Sequence, residues 1–243
     1  MYLSYEVLNW HKGFDATGVD FESLKRSHDI WRHAKNRLQG NPTEFDIVDC
    51  ITTLKRSINS RLKTLSKEYC ISGLPNLRNK KQQLEKLQDY GLVRPTFLKA
   101  LFELRNLLEH EDTEAPSIES CNYYIDIVWY FLKSTDSLLQ LKNDNVFFSE
   151  QEGYDWDDDN NISIEYKIGK CWDIRIGVNV EQRFISNEKV DNWIELTDIK
   201  IIEGRAPEGF VCLAGCPKLN DKLLTLLARE YFGSMGYWYN DHT

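Results

Sequence analysis

The sequence predicts an α+β protein, an N-terminal antiparallel helical bundle over residues 1–142 followed by a small antiparallel β-sheet domain with a C-terminal helix over 143–243. Three observations lead there. Apolar residues recur at helical spacing through most of the first part. Around Asn143-Asp144-Asn145 the repeat shortens from about 3.6 residues to about 2. Charge divides at the same place: residues 1–145 hold 20 Lys+Arg and 20 Asp+Glu, residues 146–243 hold 10 and 18, so the net charge of −8 lies entirely in the second part.

A first helix is expected from Phe21, Leu24, Trp31, Ala34 and Leu38, ended by Gly40-Asn41-Pro42. A second starts at Thr43, an N-cap with Asp46 three positions on. It carries Phe45, Val48, Ile51, Leu54, Ile58, Leu62, Leu65 and Tyr69, and Ser72-Gly73-Leu74-Pro75 ends it. A short third helix carries Leu84, Leu87 and Tyr90 before Gly91. Pro95 suits the first position of a fourth, through Phe97, Leu98, Leu101, Leu104 and Leu108. A fifth shows Ile118, Cys121, Ile125, Val128, Leu132 and Leu139, with Tyr123, Tyr124, Trp129, Tyr130 and Phe131 around it. Short connections make such helices antiparallel neighbours.

In the second part Ile162, Ile164, Tyr166 and Ile168 alternate with Ser163, Glu165 and Lys167. Gly169-Lys170 turns the chain, and Trp172, Ile174, Ile176, Val178 and Val180 alternate back, which is a hairpin pattern. Further strands are expected from Trp193 to Ile202 and from Phe210 to Leu213, then a helix marked by Leu219, Leu223, Leu226 and Leu227. The aromatic run Tyr231, Phe232, Tyr237, Trp238 and Tyr239 is expected to pack back on the sheet.

With 42% hydrophobic and 28% charged residues, the composition is that of a soluble globular protein. The opening residues Met1 to Glu6 lack the basic and apolar regions of an export signal, and the apolar run Tyr123 to Leu132 is broken by Asp126 and too short to span a bilayer. A cytoplasmic location without membrane association is the expectation. The six cysteines are dispersed, which suits reduced thiols. Cys212 and Cys216 lack the further ligands that zinc needs. Asp155, Asp157, Asp159 and Asn161 imitate the start of a calcium loop, but Asn160 replaces its glycine and Tyr166 its twelfth ligand. Neither metal nor cofactor is therefore expected. An acidic total disfavours loose nucleic-acid binding, which depends on phosphate neutralisation, so any RNA contact must come from a local positive groove in the N-terminal part. Lys55, Arg56, Arg61, Lys63 and Lys67 make the second half of the second helix basic. They could follow phosphates, although favourable charge at a helix C-terminus explains them as well. His28 and His33, with no carboxylate or cysteine pattern nearby in sequence, read as packing or surface residues.

Chemistry concentrates in Arg105-Asn106-Leu107-Leu108-Glu109-His110, at the end of the fourth helix. Arginine stays protonated and forks toward phosphate oxygens, and histidine takes or gives a proton near neutral pH. Together they supply what metal-free RNA cleavage requires. Residues five apart on a regular helix stand about 140° apart in projection, so Arg105 and His110 would share a site only across a fraying helix end or jointly with a second subunit. Asn106 shares a face with His110, and Arg105 with Glu109. The alternative is a surface ion pair between Arg105 and Glu109, worth at most about 1 kcal/mol, with His110 at the helix C-terminus.

The arrangement of Arg105, Asn106 and His110 at the end of a late helix, followed by an aromatic helix, resembles the HEPN family (higher eukaryotes and prokaryotes nucleotide-binding) over roughly residues 20–142. The resemblance implies a metal-independent endoribonuclease acting as a homodimer, often the toxic effector of a bacterial defence or toxin–antitoxin system. Its implied substrate is RNA, and an antitoxin or sensor protein is its possible partner. It also implies roles: His110 as general base or acid, Arg105 stabilising phosphoryl charge, Asn106 orienting one of them, and Glu109 as lesser support. Some members carry a tyrosine two residues after the histidine, through which they are neutralised. Asp112 stands there in this chain. A non-catalytic nucleotide- or protein-binding module and an acidic immunity or antitoxin protein are the other readings.

Overall fold

The computed structural model describes residues 1–18, 22–75, 83–93, 99–100, 102–106, 114–152, 160–169, 171–204 and 206–235. The chain forms two compact units: Met1–Thr17, Ser72–Pro75 and Lys142–Thr243 make one, Gly18–Ile71 and Asn76–Leu141 the other. The mixed α+β class is as expected. The order of elements is not, because the chain opens with two strands, β1 (Tyr2–Ser4) and β2 (His11–Gly18), that belong with the sheet. The first seventeen residues and Ser72–Pro75 group with the sheet, whereas the expected boundary is at 142/143 alone.

In the helical unit, α1 (Glu22–Asn36), α2 (Glu44–Glu68), α3 (Gln83–Asp89) and α4 (Ile118–Gln140) are joined by helical residues at 99–100 and 102–106. The expected start of α2 holds as a reciprocal cap: Thr43 Oγ1 accepts from the Asp46 amide at 3.3 Å, and Asp46 Oδ2 accepts from the Thr43 amide at 2.9 Å. Arg37 Nε secures the entry turn by an ion pair to Asp49 at 2.8 Å. Gly40 and Gly91, at φ +80° and +76°, take the left-handed conformation that ends α1 and α3. Ile51, Leu54, Ile58 and Leu65 of α2 are fully buried, as are Cys121, Val128 and Leu132 of α4, and α1, α2 and α4 pack on one another. Phe45, read as part of this stripe, is 85% exposed. It lies six residues before Ile51, about 120° off the buried face. Tyr69 closes α2 instead, and its hydroxyl donates to the Leu138 carbonyl of α4.

The other unit holds an eight-stranded sheet, among the described residues, in the order β2-β3-β4-β5-β8-β7-β1-β6. Its remaining strands are β3 (Leu141–Ser149), β4 (Asn161–Ile168), β5 (Trp172–Glu181), β6 (Ile185–Ser186), β7 (Trp193–Ile201) and β8 (Phe210–Pro217). β4 and β5 form the expected antiparallel hairpin, with Ile164 opposite Ile176 and Tyr166 opposite Ile174. Trp172, Ile174, Ile176, Val178 and Val180 are buried while alternate residues face out, so the period-2 pattern fixed which side is core. β3 was not expected: it follows α4 directly and runs through the Asn-Asp-Asn sequence that marks the change of period. β8 extends four residues beyond the expected end at Leu213.

The final helix, α5 (Asp221–Met235), starts after Leu219, with Asn220 Oδ1 accepting from the Leu223 amide at 2.9 Å. Tyr231 and Phe232 pack against Trp172, with ring centroids 5.4 and 5.6 Å away, and the Tyr166 hydroxyl donates to the Leu227 carbonyl at 3.1 Å. That part of the aromatic run packs on the sheet as expected; Tyr237, Trp238 and Tyr239 lie outside the described residues. Among the described residues no helix is long and apolar enough to cross a membrane.

Candidate functional site

Arg105 and Asn106 end the described helical residues 102–106, Arg105 half-buried and Asn106 exposed. His110 and Glu109 lie outside the described residues, as do Asp112 and the Asp155 to Asp159 run. The two described residues of the six-residue motif are organised around one atom. Arg105 Nη1 and Lys55 Nζ, the latter from α2, each donate to Asn106 Oδ1 at 3.4 Å. The Lys55 ammonium also lies 5.7 Å from the centroid of the Phe102 ring. An amide oxygen has two lone pairs, so Asn106 can receive both cations and hold them side by side, where mutual repulsion would otherwise part them. The sequence marked Lys55 only as one of five basic residues on α2. Its partner lies 51 positions away, and local periodicity carries no sign of it.

A second charged cluster joins α1, α2 and α4, and it corrects two expectations. Arg61 is fully buried and is no part of a solvated basic face. Its Nη1 donates to Asp136 Oδ1 at 2.8 Å, to Thr135 Oγ1 at 3.3 Å and to the Leu132 carbonyl at 3.4 Å. Its Nε and Nη2 donate to Ser27 Oγ at 3.2 and 3.0 Å. His28, for which the sequence offered no carboxylate, places Nε2 at 3.0 and 3.1 Å from the two Asp136 oxygens. Burial alone would raise the Asp136 carboxyl, but hydrogen bonds and charge from His28 and Arg61 outweigh it and hold the group below its ordinary value. The same burial lowers the Arg61 guanidinium, with Asp136 opposing the shift. A guanidinium sealed from water cannot meet an external phosphate, so Arg61 clasps three helices together.

A third feature is an open groove of about 630 Å³ lined by Glu22, Lys25, Arg26, Asp29, Ile30 and His33 of α1 and by Thr53 and Arg56 of α2. Its two acids are engaged, Glu22 with Lys25 at 4.0 Å and Asp29 with Arg32 at 2.7 Å. Cys212 and Cys216 both sit on β8 as free thiols. Among the described residues no group of three or more His, Cys, Asp or Glu is placed to hold a metal ion.

No protein-family model, no curated protein and no solved structure matches the chain.

Proposed function

We propose that the chain is a metal-independent endoribonuclease of the HEPN-like kind, its active site completed by a second copy of the helical unit. What supports the reading is the convergence of the Lys55 and Arg105 cations on Asn106, next to the segment that carries His110. Two fixed positive charges suit a phosphoryl group whose charge grows as its linkage breaks. In this scheme His110 removes the proton of the ribose 2′-OH, the 2′-oxygen bonds to phosphorus, and the bond to the 5′-oxygen breaks. The leaving oxygen takes up a proton from the partner's histidine or from water. Arg105 stabilises the phosphoryl charge, Asn106 positions Arg105, and Glu109 lends support. The products are a 2′,3′-cyclic phosphate and a 5′-hydroxyl, and the role is that of a toxic effector in defence.

The test incubates purified full chain with RNA in excess EDTA. Cleavage is expected, lost on Arg105→Ala or His110→Ala and reduced on Asn106→Ala, with growth arrest on expression of the unaltered chain. RNA that is bound yet uncut under every condition would replace this reading with a non-catalytic binding module.

A further inference from the structure

The groove between α1 and α2 has an unusual charge arrangement. Glu22, Arg26, Ile30 and His33 recur at spacings of three and four, which aligns them along one face of α1. Thr53 and Arg56 do the same on α2. Arg26 and Arg56, from two different helices, therefore open onto one concavity with Lys25 and His33. Both arginines and His33 are exposed, and none of the three makes an ion pair or hydrogen bond to any described residue. Two other exposed arginines of this unit behave differently: Arg32 is paired with Asp29, and Arg37 with Asp46 and Asp49.

The groove's two carboxylates are engaged by Lys25 and Arg32, so the two guanidiniums, neither held in an ion pair, are left to attract an anion. Guanidinium presents a planar fork of donors that matches two oxygens of a phosphate. Ile30 adds an apolar wall against which a ribose or base can lie, and the volume falls within the range of small-ligand sites. The groove also adjoins the candidate site through the sequence of α2. Arg56 follows Lys55 directly, so the two side chains leave the helix about 100° apart, one toward Asn106 and the other into the groove.

We infer that the groove between α1 and α2 is a phosphate subsite, in which Arg26 and Arg56 grip a phosphodiester of the RNA strand flanking the one that is cut. This rests on the ribonuclease reading for the identity of the strand, not for the groove itself.

The experiment measures binding without turnover, using the full chain with His110→Ala and a fluorescently labelled single-stranded RNA of twelve nucleotides at several salt concentrations. Adding Arg26→Gln and Arg56→Gln is expected to weaken binding about tenfold and to flatten the dependence of log K on log salt by about 0.7, the share of one phosphate on a single strand. Arg26→Lys with Arg56→Lys is expected to keep the salt slope and recover only part of the affinity, which separates loss of the fork from loss of charge or of folding. Unchanged affinity and slope in the Gln variant would overturn the subsite. Arginine-dependent binding of inorganic phosphate, with RNA affinity unaffected, would overturn it too, assigning the groove to small anions. RNA cutting that persists while the Gln variant binds normally removes the subsite alone. Arginine-dependent RNA binding by a chain that never cuts RNA removes only the nuclease reading.

Discussion

Deleting the carboxylate of Asp136 leaves a guanidinium that has no route to water. Arg61 is 0% exposed, and Asp136, whose side chain is 11% exposed, supplies its only negative charge among the described residues, at 2.8 Å. Removing one partner of such a buried pair costs about 3–5 kcal/mol, because the remaining charge keeps its desolvation penalty and loses its compensation. The lower end applies here, since Ser27, Thr135 and the Leu132 carbonyl still accept from Arg61 in the variant. Asp136→Ala should therefore cost about 3 kcal/mol, or roughly 10 °C in Tm for a chain of this length. Urea unfolding followed by far-UV circular dichroism reads the difference. Arg61→Met with Asp136→Leu removes both charges and fills the space, and should return to within about 1 kcal/mol of the unaltered chain. A loss below about 1 kcal/mol in the single variant, or a double variant as unstable as the single, would refute the argument that an uncompensated charge causes the loss.

Acid should unfold the helical unit through the same group. The Asp136 carboxyl is held below its ordinary value of 3.8 in the folded chain, so its contribution is fully present above that value and disappears as pH falls through the lower folded one. Stability against pH below about 4 should be flatter in Asp136→Ala than in the unaltered chain, and parallel profiles would exclude Asp136 as the cause. Thr43→Ala should cost about 1 kcal/mol, as its hydroxyl cap of α2 is lost; a Tm within experimental error of the parent would contradict this. Thiol labelling of the native chain should modify exposed Cys171 first. Cys50, buried and pushed up to about 12 chiefly by desolvation, should react only on unfolding, and equal labelling rates would show that α2 opens readily.

Legibility in the sequence followed the range of the interactions. The buried stripes of α2 and α4 and the β4–β5 hairpin could be read because each repeats its signal within a few residues, at the period of one element. Phe45 shows the limit even there, since an apolar residue near a stripe need not share its angle. β1 could not be read at all: it is three residues long, and its partners are Ile185 and Ser186 on one side and Trp193 to Glu195 on the other. The clasp was equally hidden. His28 and Arg61 meet Asp136 across 108 and 75 positions, so each looked like an unremarkable member of an amphipathic helix. At the candidate site the motif Arg105-Asn106 was visible from residue types alone, whereas Lys55 depended on two helices lying side by side.

The interleaved order of the two units sets a schedule for a chain emerging from the ribosome. Tyr2–Ser4 is made well before its partners, and its hydrogen-bonding edges wait for residues 185–195. Gly18–Ile71 and Asn76–Leu141, meanwhile, make up the helical unit, and all of them precede residue 142. Domains fold as units during synthesis, N-terminal segments generally first. Here the helical unit can gain its structure while β1 is still single, and the sheet is complete only once β6, β7 and β8 have been made.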